Sequence, residues 1–464
     1  MIAELSLAYV CLHVGFKLGL PDGRWPLCTA RLRSAVRLLP MVGGIALCLA
    51  SVAAAAATPS PAEARAGTEA QSPRVSVEGL RRLDGFLAKA TDAHGYLGAV
   101  SLVVANDQVV QSRAYGYRDL SRTSPMRKDS IFRIYSMTKT ATTVAVLMLM
   151  EEGRLDLDDP VEKYLPEFAG MRLFVGGSAD EPELRPATVK PTLHQLLTHT
   201  AGFATGGKGI EEATRLLERA DLHGSASLEE FSRRLAKLPL AAEPGTVFRY
   251  DGTQMEVLAR VVEVVSGQPF DQFLQQRLFD PLRMTDTGFS VPDNERERIV
   301  DITVTGADGK LRLDDGHSAT HPGEPLNPYP SGAGGLYSTA PDFMRLCRML
   351  LDGGSLDGVR ILDPGTVKRM MSNQLTLDPP VTQFSNAEGF GFGGSVLLDP
   401  AGKGRLGAAG QFGWSGAAST YFSIDPNNRT ISILLLQHLP NDAANDLPRI
   451  STTFYNLVQQ ALRP

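Results

Sequence analysis

From residue 77 onward the chain changes between two hydrophobic periods. Val77 to Ala93 places apolar residues at Leu80, Leu83, Phe86 and Leu87, a spacing that predicts a helix. Gly98–Ala105 and Val109–Tyr117 are β-rich runs, and Asn106-Asp107 between them is a turn signal, so this stretch predicts a hairpin. Ser136 to Glu152 is apolar nearly all round and is stopped by Gly153; a helix without a polar face belongs inside a protein. Residues 154 to about 380 are mixed. Helical patterns over Leu193–Thr198, Ser227–Leu238, Gln254–Ser266 and Pro341–Leu351 are separated by loops rich in Pro and Gly. β character returns over Gly389–Leu398, Gly413–Ile424 and Thr430–Leu436, with a turn from Asp425 to Asn428, and Leu447 to Leu462 closes as an amphipathic helix. With β segments at both ends and helices between, the expected architecture is α/β: one sheet built from both chain ends, flanked by helices, with a largely helical insertion. The sheet part then covers about 77–153 and 385–464, and the helical part about 154–384.

The first 76 residues follow neither pattern. Arg31, Arg33 and Arg37 precede the apolar run Met41 to Ala57, which leads to small residues, Pro59 and Pro61. A charged region, an apolar region and a small-residue exit read as an export signal over residues 1–57. The run is short and Ala-rich for a membrane span. Residues 58–76, rich in Pro, Ala and Ser, read as a disordered linker. An exported, periplasmic or secreted protein is therefore expected.

Composition narrows the partners. The chain has 464 residues, 43% of them apolar, which supplies a sizeable core. Its 46 basic and 51 acidic residues leave no surplus to neutralise phosphates, so a nucleic-acid partner is not expected. The four cysteines, Cys11, Cys28, Cys48 and Cys347, show no C-x-x-C spacing. Cys347 sits on an apolar helical stretch and reads as a small core residue.

Two common hydrolase signatures, G-x-S-x-G and H-E-x-x-H, are absent. His317 and His321, beside Asp314 and Asp315, lack a third ligand set by spacing and read as surface histidines. The informative segment is Ser136-Met137-Thr138-Lys139. On a helix, positions three apart share a face, so Lys139 points at Ser136. Ser136 falls at the first turn, where backbone N–H groups favour developing negative charge. Lys139 enters an apolar helix, where desolvation favours its neutral form and suits it to accept a proton. The pair reads as nucleophile and base.

Further segments follow in a fixed order: Leu196-Leu197-Thr198-His199-Thr200-Ala201-Gly202, Pro244-Gly245-Thr246-Val247-Phe248-Arg249-Tyr250, Ser331-Gly332-Ala333-Gly334-Gly335-Leu336-Tyr337-Ser338-Thr339, and Gly413-Trp414-Ser415-Gly416-Ala417 followed by Asp425-Pro426. With Ser136 and Lys139 they make the chain, over about residues 82–460, resemble the serine β-lactamase-like hydrolases. These include class C β-lactamases, low-molecular-weight penicillin-binding proteins, D-aminopeptidases and family VIII carboxylesterases. The resemblance implies a β-lactamase/transpeptidase-like fold with an antiparallel sheet. It implies Ser136 as nucleophile, with Lys139 and Tyr250 moving the proton. It implies an oxyanion hole of the Ser136 and Ala417 backbone N–H groups, Ala417 lying on the strand of the third motif. Neither metal nor organic cofactor is implied.

Two departures from the family pattern bear on substrate. The second motif, often Y-x-N, is Tyr250-Asp251-Gly252, so an amide that would hold a substrate carbonyl is missing. The third, often K-T-G, is Trp414-Ser415-Gly416, where an apolar wall with one N–H donor replaces a carboxylate-binding lysine. Trp414, Ser415 and Gly416 are the expected substrate contacts, and both changes favour small-molecule esters with apolar parts. The alternatives are a β-lactamase or D-amino-acid peptidase, and a non-catalytic binding or penicillin-sensor protein of the same fold. Ala201–Gly209 and Pro322–Gly335 are expected gating loops.

Overall fold

The computed structural model describes residues 75–203 and 209–462. The expected export signal of residues 1–57, and the linker up to residue 74, lie outside the described residues. Seven antiparallel strands form the central sheet: β1 (Gly98–Ala105), β2 (Gln108–Gly116), β3 (Glu388–Phe390), β4 (Ser395–Leu397), β5 (Phe412–Gly416), β6 (Thr420–Asp425) and β7 (Thr430–Leu435). Their order is β3-β4-β5-β6-β7-β1-β2. The two chain ends meet where β1 pairs with β7, Val100 opposite Leu435 and Ala105 opposite Thr430. The expected sheet from both ends is therefore the observed one.

Both faces of this sheet are covered. Helices α1 (Val77–Ala90), α2 (Thr138–Glu151), α3 (Thr253–Ser266), α4 (Ala340–Leu351) and α5 (Ser451–Ala461) carry most of the packing. On one face, Leu83 and Leu87 of α1 and Phe454 and Val458 of α5 cover Ala99, Val103 and Leu434. On the other, α2 and α4 join Val100, Leu102, Phe422, Ile433 and Leu435 in the main core. Strand β1 is buried at every position, which explains why its sequence is apolar without alternation. Cys347 is buried in α4 as a free thiol. Helix α1 begins after Ser76, whose hydroxyl accepts from the Gly79 N–H at 3.0 Å.

Two expected strands are each two. Gly389–Leu398 turns at residues 391–394 to give β3 and β4, and Gly413–Ile424 turns at residues 417–419 to give β5 and β6. Ser419, with φ of +60°, closes the second turn, its N–H donating to the Gly416 carbonyl at 3.2 Å. Ala417 thus sits one residue beyond the strand expected to carry it, exposed in the turn. The middle of the chain also holds small hairpins that hydrophobic periodicity did not reveal, Arg172–Gly177 with Pro182–Pro186 and Thr303–Thr305 with Leu311–Leu313. Their strands are short, and three of the four are largely exposed or intermediate while the buried Thr303–Thr305 has only three residues, so no apolar alternation marks them.

Candidate active site

The chain reaches Ser136 under constraint. Phe132 and Arg133 pair with Ser338 and Tyr337, and the Ile134 N–H donates to the Leu336 carbonyl at 3.0 Å. Tyr135 then adopts φ of +43°, a left-handed conformation that costs a bulky residue on the order of 1–2 kcal/mol. A single 3₁₀ turn, Tyr135–Met137, carries Ser136 into α2. Ser136 is therefore half-buried, just ahead of the regular helix.

Residues Thr138 to Leu149 of α2 are all buried, so Lys139 has no route to solvent along its own helix. It is 2% exposed. Its Nζ lies 2.9 Å from Ser136 Oγ and 2.8 Å from the Ala333 carbonyl oxygen. Tyr250, itself buried, places its ring centroid 4.9 Å from that Nζ. The Trp414 Nε1–H donates to the Tyr250 hydroxyl at 2.8 Å, and the two rings pack with centroids 4.8 Å apart. Ser136, Lys139, Tyr250 and Trp414, spread over 279 positions, thus form one connected set.

The third motif is pressed against the same turn. A Cβ at Gly416 would collide with the Ile134 carbonyl oxygen, so only glycine lets β5 approach residue 134. The Thr420 hydroxyl donates to that carbonyl at 3.3 Å. The end of β5, and the turn holding Ala417, therefore abut the segment that presents Ser136. Ser415 is half-buried next to Trp414 on β5.

Tyr250 is held by the other shared segments. The Arg249 N–H donates to the His199 carbonyl at 2.8 Å and the Gly245 N–H to the Thr200 carbonyl at 2.8 Å, so residues 198–202 run alongside residues 244–250. The His199 ring packs 4.7 Å from that of Tyr250. Burial, reinforced by Lys139, drives the His199 imidazole well below its usual range, so it stays neutral. Asp251 accepts from the Thr253 hydroxyl at 2.6 Å, the Gln254 N–H at 3.1 Å and Gln254 Nε2 at 3.1 Å, tying the start of α3. Burial raises its carboxyl, and these bonds oppose that. Gly252 places no side chain near the lysine.

An aromatic wall, not foreseen from sequence, surrounds Trp414. Phe390 lies 5.2 Å from it and Phe384, 44% exposed, lies 6.2 Å away. A cavity of about 410 Å³ is lined by His223, His317, Glu324 and residues 325–328. Its Leu326 side chain stands against Gly334, next to Tyr135. Residues 322–335, expected to gate, are tied near both ends. The buried Arg133 guanidinium donates to the Glu324 and Gly335 carbonyls at 2.6 and 3.1 Å. Of the other expected loop, residues 204–208 lie outside the described residues. His317 and His321 stack on one another at 4.7 Å, and His317 is half exposed. Among the described residues no group of three metal-binding side chains gathers, and no helix is long and apolar enough to cross a membrane. The apolar run at 41–57 lies outside that statement.

Comparison with known proteins fits this geometry. The sequence profile of the Beta-lactamase family matches residues 83–452. Esterase EstB of Burkholderia gladioli is 33% identical over 374 residues, 76% of this chain and 89% of that protein. EstCE1, a hydrolase with promiscuous acyltransferase activity, superposes with a TM-score of 0.65 at 27% identity, over 83% of this chain and 98% of that one. The unliganded simvastatin synthase LovD of Aspergillus terreus superposes with a TM-score of 0.67 at 25% identity, over 83% and 98%. The chain belongs to the beta-lactamase family and is a serine hydrolase.

Proposed function

We propose that the protein is an exported carboxylesterase that works through an acyl-enzyme on Ser136. The observation that carries this reading is the buried Lys139 Nζ, 2.9 Å from Ser136 Oγ and 4.9 Å from the ring centroid of Tyr250. Ser136 Oγ attacks the ester carbonyl while Lys139 and Tyr250 take its proton. The N–H groups of Ser136 and Ala417 hold the oxyanion; the turn carrying Ala417 abuts the Ser136 segment through Gly416, which supports this pairing. Tyr250 returns the proton to the leaving alkoxide, and a water molecule, deprotonated by the same group, releases the acid.

The substrate class follows from Trp414. Its single N–H is committed to Tyr250, so this position offers no donor to a substrate carboxylate. The accessible rings of Phe384 and Trp414, backed by the buried Phe390, instead favour apolar acyl or aryl groups. EstB, an esterase by name, is consistent with this reading.

Initial rates on p-nitrophenyl acetate, butyrate and octanoate, with nitrocefin alongside, test it. We expect turnover of at least one ester to exceed that of nitrocefin, and Ser136→Ala to lower kcat by roughly 10³-fold or more. A mutant with the wild-type rate excludes Ser136 as nucleophile. Nitrocefin turnover exceeding that of every ester overturns the ester assignment.

A further inference from the structure

Of the two carboxylates of α3, Glu256 and Glu263, the first is buried within the apolar face of the helix. Glu256 is 1% exposed, and its hydrogen-bond partners are all neutral. The Ser331 hydroxyl donates to Oε1 at 2.5 Å and the Gly332 N–H to Oε2 at 2.9 Å, with the Ala333 N–H contributing beside them. Burying a carboxylate this fully is costly, and an apolar residue of similar size would avoid that cost. What it holds lies one residue on: the carbonyl of Ala333 is the acceptor of Lys139 Nζ.

We propose that Glu256 is a positioning residue for the reaction, fixing the Ala333 carbonyl, through Ser331 and Gly332, where that carbonyl holds Lys139 against Ser136. The proposal rests on the reading of Ser136 as nucleophile. A lysine amine ends a flexible four-carbon stem and needs a fixed acceptor to keep one direction. The acceptor sits on a loop clamped between two helices. From α2, the Thr142 hydroxyl donates to the Gly332 carbonyl at 2.7 Å. From α3, a Cβ at Gly332 would lie 2.8 Å from Ala259 Cβ and 2.9 Å from the Met255 carbonyl oxygen, so the loop rests directly on the helix. The Gly334 N–H donates to Ser331 Oγ at 3.2 Å, so the hydroxyl that binds Glu256 also shapes the far side of Ala333.

Both Glu256 oxygens receive donors. A proton on Oε2 would face the Gly332 N–H donor to donor, and a proton on Oε1 would reverse the Ser331 hydrogen bond, so either way the arrangement that fixes Ala333 changes. The titratable groups that face Glu256 are Lys139 from α2 and Tyr329 from the segment leading to Ser331. Burial pushes the Glu256 carboxyl up to about 7, opposed by the Ser331 and Gly332 donors and by Lys139. The tie is therefore complete above neutral pH and lost as pH falls through 7.

The test measures kcat and KM for p-nitrophenyl butyrate from pH 5 to 9 on the full chain, on Glu256→Gln and on Glu256→Asp, with thermal unfolding of each. We expect Glu256→Gln to lower kcat at pH 8 by about tenfold or more, with KM within about twofold. We expect it to lose an acid limb near pH 7 that the wild type and Glu256→Asp retain. A Gln variant with wild-type kcat and the same limb overturns the proposal. So does a wild-type kcat that is flat from pH 6 to 8, a result that needs no variant to fold. Labelling of Ser136 by a fluorophosphonate probe follows the nucleophile without ester turnover. Slower labelling of Glu256→Gln at pH 8 supports the proposal and equal labelling overturns it. Labelling of the wild type without ester turnover fails the ester reading alone.

Discussion

Ser136 and Lys139 stand three positions apart, and that spacing brings their side chains to the same side of the chain, where the Ala333 carbonyl holds the amine. Nothing so local aligns Tyr250, which is held by Trp414 through one hydrogen bond of 2.8 Å. If Tyr250 carries the proton, Tyr250→Phe keeps the ring but removes the hydroxyl, and kcat is expected to fall by about 10²–10⁴-fold, the usual worth of general acid–base catalysis. Trp414→Phe keeps an apolar wall and removes only the N–H donor. Losing one neutral hydrogen bond of about 1 kcal/mol predicts a kcat lower by roughly five- to tenfold, with the ester chain-length preference retained. Rates across the p-nitrophenyl series for the two variants separate the roles: a Trp414→Phe enzyme with unchanged kcat would make Trp414 a wall and nothing more.

At the scale of elements, the site is a meeting of ends: the 3₁₀ turn ahead of α2, the tip of β5, the start of α3 and the Ser331–Gly335 loop. The contact between β5 and residue 134 tolerates no side chain. Gly416→Ala is therefore expected to push β5 off the Ile134 carbonyl. Overpacking of this kind costs about 1–3 kcal/mol, and the turn bearing Ala417 moves with the strand. Activity should drop more steeply than thermal stability, as parallel kcat and melting measurements on this variant would reveal; full activity would show that the turn is not part of the site. Sequence pattern located most of these elements because their apolar residues either recur with the period of a helix or strand or, as in α2 and β1, run without interruption. It merged β5 with β6, because Gly-Ala-Ala-Ser is not a strong turn signal and the reversal depends on Ser419 taking a positive φ.

Over the whole molecule, stability and location can be addressed apart from catalysis. Asp342, near the start of α4, accepts from the Asp286 N–H at 2.7 Å and the Thr287 hydroxyl at 3.0 Å. Burial nevertheless pushes its carboxyl from 3.8 up to about 6. The folded state thus binds a proton that the unfolded chain has released between these values, so folding loses stability as pH rises through that window. Asp342→Asn removes the titration. Its stability relative to wild type should rise by roughly 2–3 kcal/mol from pH 4 to pH 7 and level off above, as denaturant melts at several pH values would measure. A constant difference across that range would exclude the buried charge as the cause. If the first 57 residues are an export signal, the N-terminal sequence of protein recovered from outside the cytoplasm should begin close to residue 58, and intact Met1 there would count against removal.

The sequence by itself determined the parts whose physics is local. Hydrophobic period set the helices and strands. The i, i+3 geometry set Ser136 beside Lys139, and ordered motifs marked Tyr250 and Trp414. Tertiary structure alone decided what those residues touch. The Trp414 N–H, counted as a donor for substrate, is spent on Tyr250; His199 is a packing partner of Tyr250; Arg133 binds the Glu324 and Gly335 carbonyls near the two ends of residues 322–335. Glu256 carried the same signal that singled out Lys139, a charge in an apolar helix, but its partners lie 75 and 76 positions away. These hydrogen bonds follow from how the loop carrying Ser331 and Gly332 packs on α3, and no pattern along the chain encodes them.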